Sequence, residues 1–313
     1  MKAILRKELA DYFTSIRVPI LFFLVLLASA GGLIAAQQGI RGAISDTSAI
    51  TERGFIFLKL FTTSGESLPP LTFFLALFVP IIGIALGFDA INSERSGGTI
   101  SRILSQPVYR DGVINGKFLA GIVTLSIMVG TTLMLVAGYG LRMIGVPPTA
   151  EEIIRLFIYL FFTIVYGAFW MGLAILFSVL FRRVAASLLV SITVWLFFSF
   201  FMLMIGPAIA NAIAPTTEGT QAVLIHNAEV QQTLLRFSPS VLFDEATTVL
   251  LLPQVRSLGV VTMSQIAYMV PNPLSLGQSL VLIWPHLTSL LSLSAICFGA
   301  SYVIFMRQEI RAT

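Results

Sequence analysis

The sequence predicts an all-α polytopic membrane protein with six transmembrane helices, on three observations. Of its 313 residues, 57% are hydrophobic and only 11% charged, against roughly 25% charged in a soluble domain. Six apolar runs are long enough to span a bilayer. All charged side chains, 19 basic and 15 acidic, fall outside those runs. A single Cys and a mean hydropathy of +0.93 exclude a disulfide-stapled secreted domain, a disordered chain and an ordinary cytosolic enzyme.

A hydrocarbon core about 30 Å thick needs roughly 20 helical residues, because no backbone N–H or C=O can stay unpaired in lipid. The runs are residues 18–37, 71–88, 118–141, 156–181, 188–207 and 279–306. Twelve of the 19 Lys and Arg lie in 1–17, 89–117, 182–187 and 307–313, a density roughly threefold above that of the intervening segments. Positive-inside bias then puts both termini in the cytoplasm. Topology accounts for the net charge of +4, and no nucleic-acid partner is implied. Ala28-Ser29-Ala30 resembles a leader cleavage site, but Glu8 and Asp11 precede the first run, which is therefore read as a span.

Residues 1–17 place Ile4, Leu5, Leu9, Tyr12, Phe13 and Ile16 on one arc, with Arg6, Lys7, Asp11, Thr14 and Arg17 around the rest. The pattern fits an amphipathic helix along the cytoplasmic leaflet, or equally a basic anchor for the first span. Residues 89–117 are polar, charged and too long for a turn. Gly97-Gly98 interrupts the helix leaving the second span, Thr99 caps a short helix through Ile100, Ile103 and Leu104, and Pro107 ends it. Such a helix suits docking into another protein's groove; the alternative is a solvated loop.

Residues 38–70 and 208–278 carry apolar patches and are expected to fold as caps. The longer one, between the fifth and sixth spans, is a large extracytoplasmic loop, either a vestibule or a lid. Gly83 and Gly87, and less regularly Gly167 and Gly172, point to close helix packing. Phe197, Phe198, Phe200 and Phe201 fit a lipid-facing helix better than an apolar route.

Catalytic chemistry is sparse. The two histidines are His226, in the outer stretch, and His286, in the sixth run with no carboxylate in any run to accompany it; it is expected to be neutral and hydrogen-bonded. A metal site is not expected. Without Asp or Glu in the runs, an ion-coupled carrier is disfavoured, and no GxSxG or GxxxxGK[ST] motif is present. Ser96-Gly97-Gly98-Thr99 resembles an ATPase signature loop, but the chain has no phosphate loop to go with it. A membrane-embedded enzyme using Asp244, Glu245 and His226 as acid and base is the rival reading from another class.

The stretch Phe88-Asp89-Ala90-Ile91-Asn92-Ser93-Glu94-Arg95-Ser96-Gly97-Gly98-Thr99-Ile100-Ser101-Arg102-Ile103-Leu104-Ser105-Gln106-Pro107-Val108-Tyr109-Arg110, followed by Gly116-Lys117, closely resembles the first cytoplasmic loop of ABC-2 type transporter permeases. Arg6-Lys7-Glu8-Leu9 looks like the family's elbow helix, and Phe305-Met306-Arg307-Gln308-Glu309-Ile310-Arg311 like its C-terminus. The resemblance covers essentially the whole chain and implies one transmembrane domain over 1–313, in the cytoplasmic membrane. It implies a permease subunit that exports a substrate and is driven by ATP hydrolysis on a separate cytoplasmic ABC ATPase. That partner would hold the ATP and Mg, with no cofactor in this chain. A second permease subunit and membrane lipid complete the expected partners.

By the same resemblance, the ATPase-coupling residues are Glu94, Gly98, Thr99, Arg102, Ile103, Leu104, Pro107, Arg110 and Lys117. Arg6, Lys7, Glu8 and Leu9 belong to the elbow helix that braces them. Chemically, Glu94 would pair with an Arg of the ATPase or of its own loop, Ile103 and Leu104 would fill an apolar cleft, and Arg102, Arg110 and Lys117 would meet carboxylates or lipid phosphates. The alternative within the family is a mechanical transmitter coupling the ATPase to an extracytoplasmic partner, as in systems resembling nitrous-oxide-reductase maturation.

Overall fold

The computed structural model describes residues 2–45, 55–98, 109–216, 220–259 and 273–308, with the side chains of 41–45 left out, and only helices occur among them. In chain order they are α1 (Lys2–Thr14), α2 (Arg17–Ser45), α3 (Ile56–Thr62), α4 (Leu71–Gly87), α5 (Asn92–Ser96), α6 (Arg110–Ile144), α7 (Ala150–Leu180) and α8 (Val184–Leu196). A π-helical turn (Phe197–Phe201), α9 (Met202–Ile213), α10 (Gln221–Leu235), α11 (Pro239–Leu251) and α12 (Leu276–Arg307) follow. Six helices are long and apolar enough to cross a membrane: Arg17–Ile40, Leu71–Ser96, Arg110–Ile144, Ala150–Leu180, Val184–Ile213 and Leu276–Arg307.

These helices match the six apolar runs and overrun several of them. The third begins at Arg110 and the fourth at Ala150, so charged residues enter both, and each buried charge has a partner. Arg155 is fully buried and donates to Glu151 Oε1 from Nη2 at 2.8 Å. Glu152 closes a capping box with Thr149 and accepts from the Phe57 N–H at 2.9 Å. The last bond ties α3 to the start of α7 and satisfies an N–H at a helix N-terminus.

The chain divides into two compact units, Met1–Ile192 with Leu291–Thr313, and Thr193–Leu290. In the first, α4 and α7 meet with backbones in contact. A Cβ at Gly83 would lie 2.5 Å from the Gly167 carbonyl oxygen, and one at Gly87 2.6 Å from that of Met171, so only glycine fits there. Trp170, Tyr166, Val79 and Ile175 fill the rest of that core. Gly172, by contrast, has ordinary spacing, with its nearest neighbour 3.7 Å away. Phe57, Leu58, Leu60 and Phe61 of α3 are buried, which makes this part of the stretch after the first span a folded cap.

In the second unit, the fifth span carries the π turn at its four phenylalanines, none of them buried. The Ser238 hydroxyl, which caps α11, donates to the Phe198 carbonyl at 2.7 Å. Insertion of such a turn leaves carbonyls without their usual partners, and this contact satisfies one. Among the described residues, two helices, α10 and α11, lie between the fifth and sixth spans. Asn227 of α10 donates to Asn211 Oδ1 at 2.9 Å and to the Ala214 carbonyl at 2.7 Å, pinning α10 to α9.

Candidate coupling site

The chain leaves α4 at Gly87, ten residues before the Gly97-Gly98 pair from which the sequence places the break. It turns through 88–91 and re-enters helix as α5. The first amides of a helix have no partner within it, and here the Ile91 and Asn92 N–H groups both donate to Ser178 Oγ of α7, at 2.9 and 3.2 Å. Gly97 and Gly98 end α5, and Gly98 has a φ of +65°, a left-handed backbone for which glycine has no steric penalty. Thr99, Arg102, Ile103, Leu104 and Pro107 lie outside the described residues.

Lys117, in the second turn of α6, organises the surroundings of α5. Its side chain is 6% exposed, and its ammonium lies 2.9 Å from Glu8 Oε2 of α1 and 2.9 Å from Glu94 Oε1 of α5. Two acidic side chains from elements 86 residues apart thus share one buried cation. Within its own chain Glu94 meets Lys117 and, at 3.6 Å, Lys7. Lys7 also pairs with Glu8 at 3.1 Å and Asp11 at 3.2 Å. Partial burial pulls the Lys7 ammonium down, but the Glu8 charge and the hydrogen bonds to Glu8 and Asp11 outweigh it and hold its pKa above the usual lysine range.

Helix α1 is docked on this end of the first unit. Its Ile4 packs on Gly116, where a Cβ would come within 2.8 Å of Ile4 Cγ2, and Tyr12 Oη donates to the Leu86 carbonyl at 2.8 Å. Burial, then the charges of Glu8, Asp89 and Glu94, push the Tyr12 phenol up. Arg17 donates to Asp89 and lies over the Phe88 ring, 5.4 Å from its centre. Of the helix predicted for 1–17, Lys2–Thr14 is helical, with Ile4, Glu8 and Tyr12 against protein, while Phe13 near its end and Ile16 beyond it are exposed. Arg6 is exposed and Leu9 half-buried. A cavity of about 560 Å³ opens among Lys7, Asp11, Arg17, Asp89, Glu94 and Lys117.

On the other side of the undescribed stretch, Arg110 opens α6 and its Nη1 donates to the Gln308 carbonyl at 3.1 Å. The site thus gathers Glu8, Lys7, Glu94, Gly98, Arg110 and Lys117 from three helices of one unit. Ser178, Tyr12, Asp89 and Gln308 belong with them, although no motif marks Ser178 or Tyr12. The arrangement suits bracing more than bond chemistry: its carboxylates and ammonium groups are joined to one another. No group of three or more His, Cys, Asp or Glu placed to hold a metal occurs among the described residues.

The acid–base set of the rival reading is distributed differently. His226 and Asp244 are exposed, whereas Glu245 of α11 pairs with His286 of α12, Oε2 to Nε2 at 2.7 Å. A carboxylate from outside the apolar runs therefore accompanies the histidine of the sixth run. Arg236, which follows α10, and Gln232 within it also donate to Glu245, at 2.9 and 3.0 Å. Burial drives the Glu245 carboxyl up, but the hydrogen bonds from His286, Gln232 and Arg236 prevail and hold it below the usual carboxylate range.

The chain is 28% identical over 192 residues to the "Probable ABC transporter permease protein NosY" of Pseudomonas aeruginosa, a match taking in 59% of this chain and 58% of that permease. Residues 2–310, nearly the whole chain, match the family described as ABC-2 family transporter protein. With that match over nearly its whole length, and with six helices able to span a membrane among its described residues, this chain belongs to the ABC-2 family of transporter proteins.

Proposed function

We propose that this ABC permease works as one of two membrane subunits of an exporter, moved from the cytoplasm by a separate ATPase that acts through residues 89–117. The two termini and this stretch lie on the cytoplasmic side. ATP and Mg belong to the ATPase. Its closure on ATP pulls the stretch 99–108, where Ile103 and Leu104 enter an apolar cleft and Arg102 meets acidic groups. The spans then switch between inward-open and outward-open states as rigid bodies, because the ATPase binds the two states differently.

The observation that carries this reading is the buried Lys117 ammonium held at 2.9 Å from both Glu8 and Glu94. A pulled segment does work on a helix only if the joint between them is stiff. Removing one member of such a buried pair costs about 3–5 kcal/mol, so the joint resists opening. Glu94, Lys117, Lys7 and Glu8 brace in this scheme, and residues 99–108 make the contact.

The only cysteine, Cys297, makes the test simple. In a C297S background, a cysteine at Ser101 or Ser105 is expected to cross-link to the co-purified ABC ATPase and to be labelled by an impermeant thiol reagent only in inverted vesicles. Labelling from the outer face of sealed right-side-out vesicles would refute the proposal.

A further inference from the structure

The second arm of the coupling stretch leads to a residue that none of the roles above includes. Gln308 follows directly on α12, whose last residue is Arg307, and three elements meet on it. Arg95 of α5 donates to its side-chain oxygen. Arg110, the first residue of α6, donates to its backbone carbonyl at 3.1 Å. Its own Nε2 donates to the Val179 carbonyl of α7 at 3.1 Å, one of the four terminal carbonyls that have no partner within that helix. Its N–H remains bonded to the Ile304 carbonyl at 3.1 Å, so the residue is continuous with α12.

The placement has a mechanical consequence. Arg95 lies just before residues 99–108 and Arg110 just after them, so both ends of the stretch are fastened to one residue on the end of the sixth span. Glutamine suits this role because its amide offers an acceptor to a guanidinium and a donor to a carbonyl at once. Lysine or arginine would offer no acceptor, and leucine neither. Hydrogen bonds to a charged group are worth about 1.5–3 kcal/mol, so a pull on either arm reaches α12 before the staple opens.

We infer that Gln308 is a positioning residue that staples both arms of the coupling stretch to the sixth span and delivers its displacement to that helix. The inference rests on the proposed coupling through residues 89–117. The test uses the full chain in nanodiscs with its co-purified ABC ATPase, in the C297S background. An environment-sensitive fluorophore is attached at Ser105 in the stretch or, in a parallel sample, at the exposed Val303 of α12, and the response to ADP–vanadate trapping is read.

With Gln308 intact, both labels respond. In Q308L, which removes the acceptor for Arg95 and the donor to Val179 and leaves Arg110 in place, the Ser105 label still responds while the Val303 response falls to a fraction of its intact value, and Q308E, which keeps an acceptor for Arg95, restores most of it. Amide exchange in residues 90–98 of the chain alone rises about tenfold in Q308L. A responding Ser105 label with an undiminished Val303 response in Q308L overturns the staple and leaves coupling through the stretch standing. A Ser105 label silent in the intact complex defeats the coupling reading, and the staple's role falls with it.

Discussion

In the first unit one ammonium, that of Lys117, stands 2.9 Å from two carboxylates, Glu8 and Glu94. In the second unit one carboxylate, that of Glu245, collects an imidazole, a guanidinium and an amide within 3.0 Å. Both clusters join three helices, α1, α5 and α6 in one case and α10, α11 and α12 in the other. They differ in what is exposed when they are cut. Lys117 is nearly inaccessible, with Glu8 and Glu94 at 9% and 11% exposure. Arg236 is 38% exposed, so water and salt can replace part of what it supplies. A cluster built around one inaccessible cation gives way together; a donor-rich cluster at a partly wet site loses its members one at a time.

The sharpest way to break that contrast is K117M. It takes the buried cation from between Glu8 and Glu94 and leaves them the half-exposed Lys7, and the expected destabilisation is about 3–5 kcal/mol, read as a large drop in the melting midpoint of the nanodisc-embedded chain. K117M/E8Q/E94Q, which removes the uncompensated charges as well, is expected to recover much of the loss. E245Q is predicted to cost less, about 1.5–3 kcal/mol, because the amide still accepts from Arg236 or His286. Local amide exchange across residues 221–251 should show it. If E245Q proved more damaging than K117M, the buried-cation cluster would not be the stiffer joint.

The two clusters were also unequally legible in the sequence. Glu94, Gly98, Arg110 and Lys117 stand in a recognisable run of residues, and Glu8 in a second that the resemblance sets to brace it, but the pairing of Glu94 and Glu8 on Lys117 has no mark in either run. Glu245 and His286 are 41 residues apart with no motif between them, and only the return of α12 past α11 brings them together. The spans were readable because hydrocarbon excludes unpaired charge, and their apolar middles stand where the runs did. Their ends were not, since Glu152 and Lys117 are admitted to helices by partners distant in sequence, and Arg155 by Glu151 one turn before it. Gly83 and Gly87 announced close packing through their spacing; Ser178, which caps α5 from α7, had no spacing to announce it.

Acid tests the second cluster without mutation. The Glu245 carboxyl is held below the usual range, so its contribution to stability is present in full above its unfolded value, near pH 4.3, and is lost as pH falls through the lower folded value. Below about pH 4, amides of α10 and α11 should lose protection progressively in the native chain. In E245Q the same amides should exchange faster at neutral pH and show a flatter profile through that window. An acid profile unchanged by E245Q would assign the loss to other carboxylates and remove Glu245 from the comparison.

Lys7 bounds the comparison from below. It touches Glu8, Asp11 and Glu94, more carboxylates than Lys117 reaches, yet its side chain is 52% exposed. If the number of partners decided the strength of a joint, K7A would rival K117M. If burial decides, an exposed ammonium contributes about 0–1 kcal/mol, since water already solvates it and Lys117 still neutralises Glu8 and Glu94 when it is gone. Burial is the stronger term, so K7A should move the melting midpoint only slightly, and salt should shrink the difference further. Its pH response runs opposite to that of Glu245. With its pKa held above the usual range, Lys7 contributes fully below its unfolded value, near pH 10.4, and loses that contribution as pH rises through the higher folded value. Native chain and K7A should therefore melt with a constant small gap from pH 7 to about pH 10 that closes only in stronger alkali, and a gap as wide as that of K117M would mean that partner number, not burial, sets the stiffness of this end of the unit.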